Sequence, residues 1–192
     1  MPRLVLASGS PARKALLESA GFPADKIHPA DIDETPRKNE VPSAYVKRLA
    51  AEKALTVQAL YPDAFIIAAD TIAVLGAKII GKPIDRADAK KILTRFCGRR
   101  HKVLTGLCVV SPEGRKSVRM ISSSVKCRMA AEAEIERYLD SGEWEGKSGC
   151  YGLQGRASAF IEWINGSYTS IIGLPVAETI AILNGMGYRH GQ

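Results

Sequence analysis

Ala64-Phe65-Ile66-Ile67-Ala68-Ala69-Asp70-Thr71-Ile72-Ala73-Val74-Leu75 is a near-continuous apolar run with one carboxylate in its middle. A strand buried on both faces has this pattern, which predicts a central strand over 64–75, with Gly76-Ala77 turning the chain toward a short partner at Lys78 to Ile80. Upstream, Pro42 to Leu60 predicts a helix whose apolar stripe is Tyr45, Leu49, Val57 and Leu60. Arg3 to Ala7 reads as a buried strand. Ser8-Gly9-Ser10-Pro11 then breaks it and opens a helix to about Ala20, with Ser10 as N-cap and Pro11 as first helical residue. Asp31-Ile32-Asp33-Glu34-Thr35-Pro36 has little periodicity and reads as a strand end plus loop.

Downstream, Asp85 to Cys97 predicts a helix. Lys102 to Ser111 and Lys116 to Met129 predict two antiparallel strands joined at Ser111-Pro112-Glu113-Gly114, with Val125, Cys127 and Met129 on the buried face. Ala131 to Ser141 is a further helix, and Gly142 to Gly155 a glycine-rich loop. Ala159 to Ile164 with Ser167 to Ile172 reads as a hairpin over Asn165-Gly166, and a last helix spans Pro175 to Leu183. Strands and helices alternate irregularly, which predicts an α/β fold with a mixed sheet rather than a strictly parallel one.

The chain's 192 residues suffice for one domain with room for two lobes, and a composition 46% hydrophobic and 24% charged is that of a folded globular protein. Met1 to Gly9 lacks a secretory-signal pattern, and no run approaches the roughly 20 apolar residues of a membrane span, so a soluble cytoplasmic protein with no membrane partner is expected. Cys97, Cys108, Cys127 and Cys150 are far apart and read as reduced thiols. His28, His101 and His190 are equally scattered. Any metal is therefore expected on carboxylates, which favours magnesium or manganese. The net charge of +7 is spread along the chain. Its tightest groups, Arg99, Arg100 and Lys102 and then Arg115, Lys116 and Arg119, read as solvated surface, so a nucleic-acid partner is not expected.

Asp70 is the most informative residue. Burying a carboxylate in such a run requires a cation, a metal or several hydrogen bonds. It is either a turn former or capped structural residue, or a group that ligates a divalent ion or activates water. Lys53 lies eight residues after Tyr45 and four before Val57, on the apolar stripe rather than with Lys47 and Glu52. It either snorkels to the core's edge or meets a carboxylate or phosphate. Ser8 to Arg13 places backbone N–H groups and a cation at a helix start, a setting for an anion or for ordinary capping. Glu34 belongs either to a solvated acidic loop or to a metal site with Asp70, and Lys82 follows Gly81 at a rigid turn before Pro83.

These segments resemble the Maf family of nucleotide pyrophosphatases over Leu4 to about Thr179. The carrying motifs are Leu6-Ala7-Ser8-Gly9-Ser10-Pro11-Ala12-Arg13, Asp33-Glu34-Thr35-Pro36, Arg48-Leu49-Ala50-Ala51-Glu52-Lys53-Ala54, Ala69-Asp70-Thr71, Gly81-Lys82-Pro83, Tyr151-Gly152-Leu153-Gln154-Gly155 and Gly173-Leu174-Pro175. The resemblance implies a single domain over residues 1–192, with a mixed, curved central sheet flanked by helices and two lobes around a cleft, as in Maf and ITPase-like proteins, commonly homodimeric. It implies hydrolysis of nucleoside triphosphates between the α and β phosphates. Asp70 would be the general base, Glu34 and Asp70 would hold a divalent metal, and Ser8, Arg13, Lys53 and Lys82 would contact phosphates. Thr71 and Gln154 resemble the dTTP/UTP branch. Ala12 departs from it, since that branch usually carries a second arginine there, so relaxed base selectivity is expected. Two further readings stay open: a broad or modified-nucleotide pyrophosphatase, and a non-catalytic nucleotide-binding regulator of cell division.

Overall fold

The computed structural model describes residues 3–189. The apolar run forms strand β3 (Ala64–Leu75), buried from Ala64 through Asp70 and again from Ile72 to Val74. Asp70 lies inside a continuous strand, which excludes the reading of it as a turn between two short ones. β1 (Arg3–Leu6) runs parallel to β3, Arg3 facing Ala64 and Leu6 facing Ile67. β2 (Lys26–Ile27), a two-residue strand within a segment that lacks periodicity, runs parallel to β1. β4 (Lys78–Ile80) folds back antiparallel on β3 across the expected turn, where Gly76 has φ +63°. With β5 (Arg100–Val110), β6 (Lys116–Cys127) and β7 (Ile161–Asn165), the strand order is β2-β1-β3-β5-β6-β7, β4 pairing with β3. The mixed sheet and the α/β class are as the sequence implied.

The chain divides into two compact units, the described parts of Met1–Asp70, Thr105–Ile121 and Gly173–Gln192 forming one and Thr71–Leu104 with Ser122–Ile172 the other. The first unit holds helices α1 (Pro11–Ser19) and α2 (Pro42–Gln58). Ser10 caps α1, its Oγ accepting from the Arg13 N–H at 3.4 Å. α2 buries Tyr45, Leu49, Lys53 and Val57, the predicted stripe. Leu60, assigned to that stripe, is exposed because the helix ends at Gln58. Ala50 and Ala54 of α2 share one buried cluster with Ala7, Ala64 and Ala68, and with Val5, Ile66, Cys108 and Val110. Small side chains let the backbones approach closely. At Gly106 a Cβ would stand 2.0 Å from the Val46 carbonyl oxygen, so only glycine fits.

In the second unit, α3 (Arg86–Phe96) packs on α4 (Glu132–Asp140) over a core that includes Ile92, Phe96, Ile135 and Tyr138. Asp85 caps α3, accepting from the Asp88 N–H at 2.7 Å. The Glu134 carboxylate reaches back to the Ala131 N–H at 2.9 Å, half of a capping box that alanine leaves without its other half. Across the outer faces, Arg86 meets Glu136 and Asp140, and Lys90 meets Glu132 and Glu136, at 2.5 to 2.6 Å. β6 stops at Cys127, leaving Met129, expected inside, 72% exposed.

The hairpin expected from Ala159 to Ile164 with Ser167 to Ile172 does not form; only its first strand does. β7 pairs antiparallel with β6, Ser124 opposite Asn165, but Tyr168–Ile172 is a single helical turn, α5. Ala159 and Phe160 belong to the 3-10 turn Arg156–Phe160 rather than to the strand. Ser167 decides the difference, because its Oγ accepts from the Ser170 N–H at 3.2 Å in the manner of a helix cap. Ser123 Oγ also accepts from the Ser167 N–H at 3.0 Å, holding the start of this turn against β6. The last helix, α6 (Val176–Gly185), belongs to the first unit.

Among the described residues, no helix is long and apolar enough to cross a membrane. All four cysteines are free. The two basic clusters are solvent-exposed as expected, with Arg100 lying over the Trp163 ring at 4.7 Å.

Candidate active site

In the first unit, β1 ends at Leu6 and delivers Ser8 to the start of α1. Arg13, in the first turn of that helix, folds back so that Nη1 donates to Ser8 Oγ at 2.9 Å and Nε to the Gly173 carbonyl at 2.8 Å. Gly173, at φ +138°, admits this contact, since a Cβ there would come within 3.2 Å of Arg13 Nε. Burial pulls the Arg13 guanidinium below its ordinary pKa, and the negative charges of Asp70 and Glu34 oppose that shift.

Lys53 and Asp70 meet at the centre. Lys53 Nζ donates to Asp70 Oδ1 at 2.6 Å, and the same ammonium lies 2.6 Å from Glu34 Oε1. The inward lysine therefore meets carboxylates rather than snorkelling. Side-chain exposure is only 10% for Lys53 and 12% for Asp70 but 46% for Glu34, so two of the three charges are nearly desolvated while the third opens to solvent. Glu34 thus belongs to this cluster and is not merely part of a solvated loop. Ala12, in the same first turn of α1 as Arg13, is half-exposed.

α2 supplies more than Lys53. The Tyr45 hydroxyl donates to the Glu34 carbonyl at 2.7 Å, and Arg48 Nη2 donates to the Thr35 carbonyl at 3.1 Å. Burial raises the Tyr45 pKa, as do the charges of Asp70 and Glu34, so its phenol remains a proton donor at neutral pH. Sequence reading missed both roles. Tyr45 was legible only as an apolar position, and the one cue for Arg48 was its i,i+4 spacing to Glu52, to which it donates at 3.0 Å.

In the second unit, Lys82 is exposed on the segment after β4. The preceding residues are anchored, for Ser148 Oγ donates to the Ile80 carbonyl at 2.8 Å and the Gly149 N–H to the Gly81 carbonyl at 3.2 Å. Gln154 is exposed in the segment after Tyr151, whose hydroxyl lies 2.7 Å from His101 Nε2. Thr71 is half-buried on β3. Neither of the two described histidines belongs to a group of three or more potential metal ligands. His28 contacts the Tyr61 hydroxyl at 3.0 Å, His101 is stacked on Phe96 at 4.2 Å, and His190 lies outside the described residues. Among the described residues, no group of three or more His, Cys, Asp or Glu side chains converges on one point.

A protein named dTTP/UTP pyrophosphatase from Caulobacter vibrioides is 46% identical over 188 residues, covering 98% of this chain and 97% of that one. Another of the same name, from Roseobacter denitrificans, is 48% identical over 185 residues, covering 96% and 97%. Among solved structures, protein VC0702 from Vibrio cholerae aligns at 13% identity with a TM-score of 0.43, covering 98% of this chain and 94% of that one. Residues 3–186 match the family model described as Maf-like protein, and on that match together with these relatives the chain belongs to the Maf-like family.

Proposed function

We propose that the protein hydrolyses nucleoside triphosphates to the monophosphate and pyrophosphate, with dTTP and UTP preferred. The observation that carries this reading is the Lys53 ammonium held between Glu34 and Asp70, with Arg13 feeling both carboxylates from the start of α1. Triphosphate hydrolysis needs charge neutralisation and positioning more than covalent chemistry, and cations beside carboxylates provide both. The names of the relatives point to the same reaction.

In this reading Asp70 orients a water and takes its proton as the water oxygen bonds to the α-phosphorus. The bond from that phosphorus to the α–β bridging oxygen breaks, and pyrophosphate leaves with the electron pair. Lys53 compensates the carboxylates, and Arg13, anchored by Ser8, contacts phosphate oxygens, as does Lys82.

The residues present fit a divalent cation. Glu34 and Asp70 already direct hard oxygen donors at a single positive centre, and Glu34 is solvent-accessible. Magnesium and manganese commonly take one or two carboxylates and complete their shell with substrate phosphate and water. Glu34 and Asp70 would hold the ion, which when bound neutralises developing phosphate charge. Thr71, Gln154 and Ala12 are the proposed selectivity positions, Ala12 relaxing the preference because it offers neither charge nor stacking surface. A cytoplasmic homodimer is the proposed setting.

Pyrophosphate release from dTTP, UTP and the purine triphosphates, with magnesium, manganese or chelator, tests the proposal. The expected outcome is metal-dependent turnover that favours dTTP and UTP and is lost in Asp70→Asn. Equal rates on purines would remove the preference, and equal rates for Asp70→Asn and wild type would remove the catalytic assignment.

A further inference from the structure

We infer that Arg48 is a positioning residue for Glu34, acting with Tyr45 as a clamp on the loop that carries it; the inference rests on the pyrophosphatase reading above. The backbone from Asp31 to Pro36 has no helix or strand, so no ladder of backbone bonds fixes Glu34. A half-exposed carboxylate on such a segment would have to be ordered each time it met Lys53, at a cost in conformational entropy.

Helix α2 removes that freedom. Tyr45 and Arg48 donate to the successive carbonyls of Glu34 and Thr35, at 2.7 and 3.1 Å. Lys53 lies five residues beyond Arg48 on the same helix. One rigid element thereby fixes both the cation and the backbone of the carboxylate that faces it. Arg48 is itself held. Its Nε and Nη2 form a fork on Glu40 at 2.7 Å each, and Nη1 donates to Glu52 at 3.0 Å. The side chains of Arg48 and Glu40 are only 12% and 10% exposed, and the guanidinium lies 5.5 Å from the centre of the Tyr45 ring. Glu40 also accepts the Arg37 N–H at 3.0 Å, so the loop is tied at 34, 35, 37 and 40. The planar fork matters, because the three donors on a lysine's single nitrogen cannot make the four bonds that the guanidinium makes to Glu40, Glu52 and the Thr35 carbonyl.

The experiment is a double-mutant cycle on the full chain, with pyrophosphate release from dTTP and UTP measured for wild type, Arg48→Lys, Glu34→Gln and the pair. Arg48→Lys is expected to lower kcat about tenfold or more in the wild-type background and less than about twofold in Glu34→Gln. An equal loss in both backgrounds, or an Arg48→Lys variant as fast as wild type, overturns the inference. Tyr45→Phe removes a single hydroxyl, is expected to show a smaller loss with the same dependence on Glu34, and carries the same comparison if Arg48→Lys does not fold. A silent wild type would defeat the functional reading alone. Amide hydrogen exchange would then decide the clamp: residues 33–37 are expected to exchange about tenfold or more faster in Arg48→Lys while β3 is unchanged, and unaltered protection overturns it.

Discussion

Lys53 Nζ and Asp70 Oδ1 lie 2.6 Å apart, linking a helix to the middle of a buried strand, and neither side chain is more than 12% exposed. Their union makes each tolerable inside an apolar core, and the same union makes them sensitive to single substitutions. Removing one partner of a buried pair leaves an uncompensated charge. Lys53→Met should therefore destabilise the fold by about 3 kcal/mol in urea unfolding and abolish turnover. Lys53→Met combined with Asp70→Asn should regain much of that stability without regaining activity. A double variant as unstable as Lys53→Met alone would show that the pair is not what the core depends on.

His101 sets an acid limit on stability. Burial lowers its pKa to about 4 from the ordinary 6.5, so the folded state resists protonation that the unfolded chain accepts. Above pH 6.5 both states hold neutral imidazole and stability is unaffected. As the pH falls from 6.5 toward 4 the unfolded chain binds the extra proton and stability declines, by about 2 to 3 kcal/mol between 6.5 and 4.5. Glu40 and Glu134, held at about 2 by hydrogen bonds from Arg48 and Arg128, lose their contribution only at lower pH. Unfolding midpoints across this window should slope for wild type and be nearly flat for His101→Gln.

Two glycines should respond oppositely to alanine. At Gly106 the new Cβ would press on the Val46 carbonyl, a backbone atom that cannot swing away, and Gly106→Ala should cost about 3 kcal/mol or more or fail to fold. At Gly185, in α6, a Cβ meets nothing within 4 Å, and Gly185→Ala should be neutral or stabilising by up to about 1 kcal/mol. Thermal melts of the two variants make the comparison.

The thiols should separate by access. Cys97 is half-buried, whereas Cys108, Cys127 and Cys150 are buried with pKa values pushed up to about 12. Titration of the native protein with an aromatic disulfide should show one fast thiol and three that react only on unfolding. A second fast thiol would contradict the burial.

Ala12 can be tested by addition. If the missing arginine relaxes selectivity, Ala12→Arg should raise kcat/KM for dTTP and UTP relative to purine triphosphates by about tenfold. An unchanged ratio would move selectivity elsewhere.

Much of this was written locally. The run from Ala64 to Leu75 defined a buried strand because apolar residues on both alternate sets leave no wet face. The spacing of Tyr45, Leu49, Lys53 and Val57 turned a lysine inward because a helix repeats every 3.6 residues. Ser10 and Asp85 marked helix starts because a cap is a bond within a few residues. The sequence thus determined that Asp70 and Lys53 were buried charges in need of partners. Only the tertiary structure decided who the partners were, for the parallel pairing of β1 with β3 and the seating of α2 on the strands bring together residues that no local pattern links. Arg13 finds the Gly173 carbonyl 160 residues away, and the Glu34 backbone finds Tyr45 and Arg48. The turn at Tyr168–Ile172 replaces a strand because Ser167 caps it locally, and Ser123, on another strand, adds a tertiary hold on its start. Periodicity and capping are short-range and can be read along the chain; the compensation of a buried charge depends on what topology places beside it.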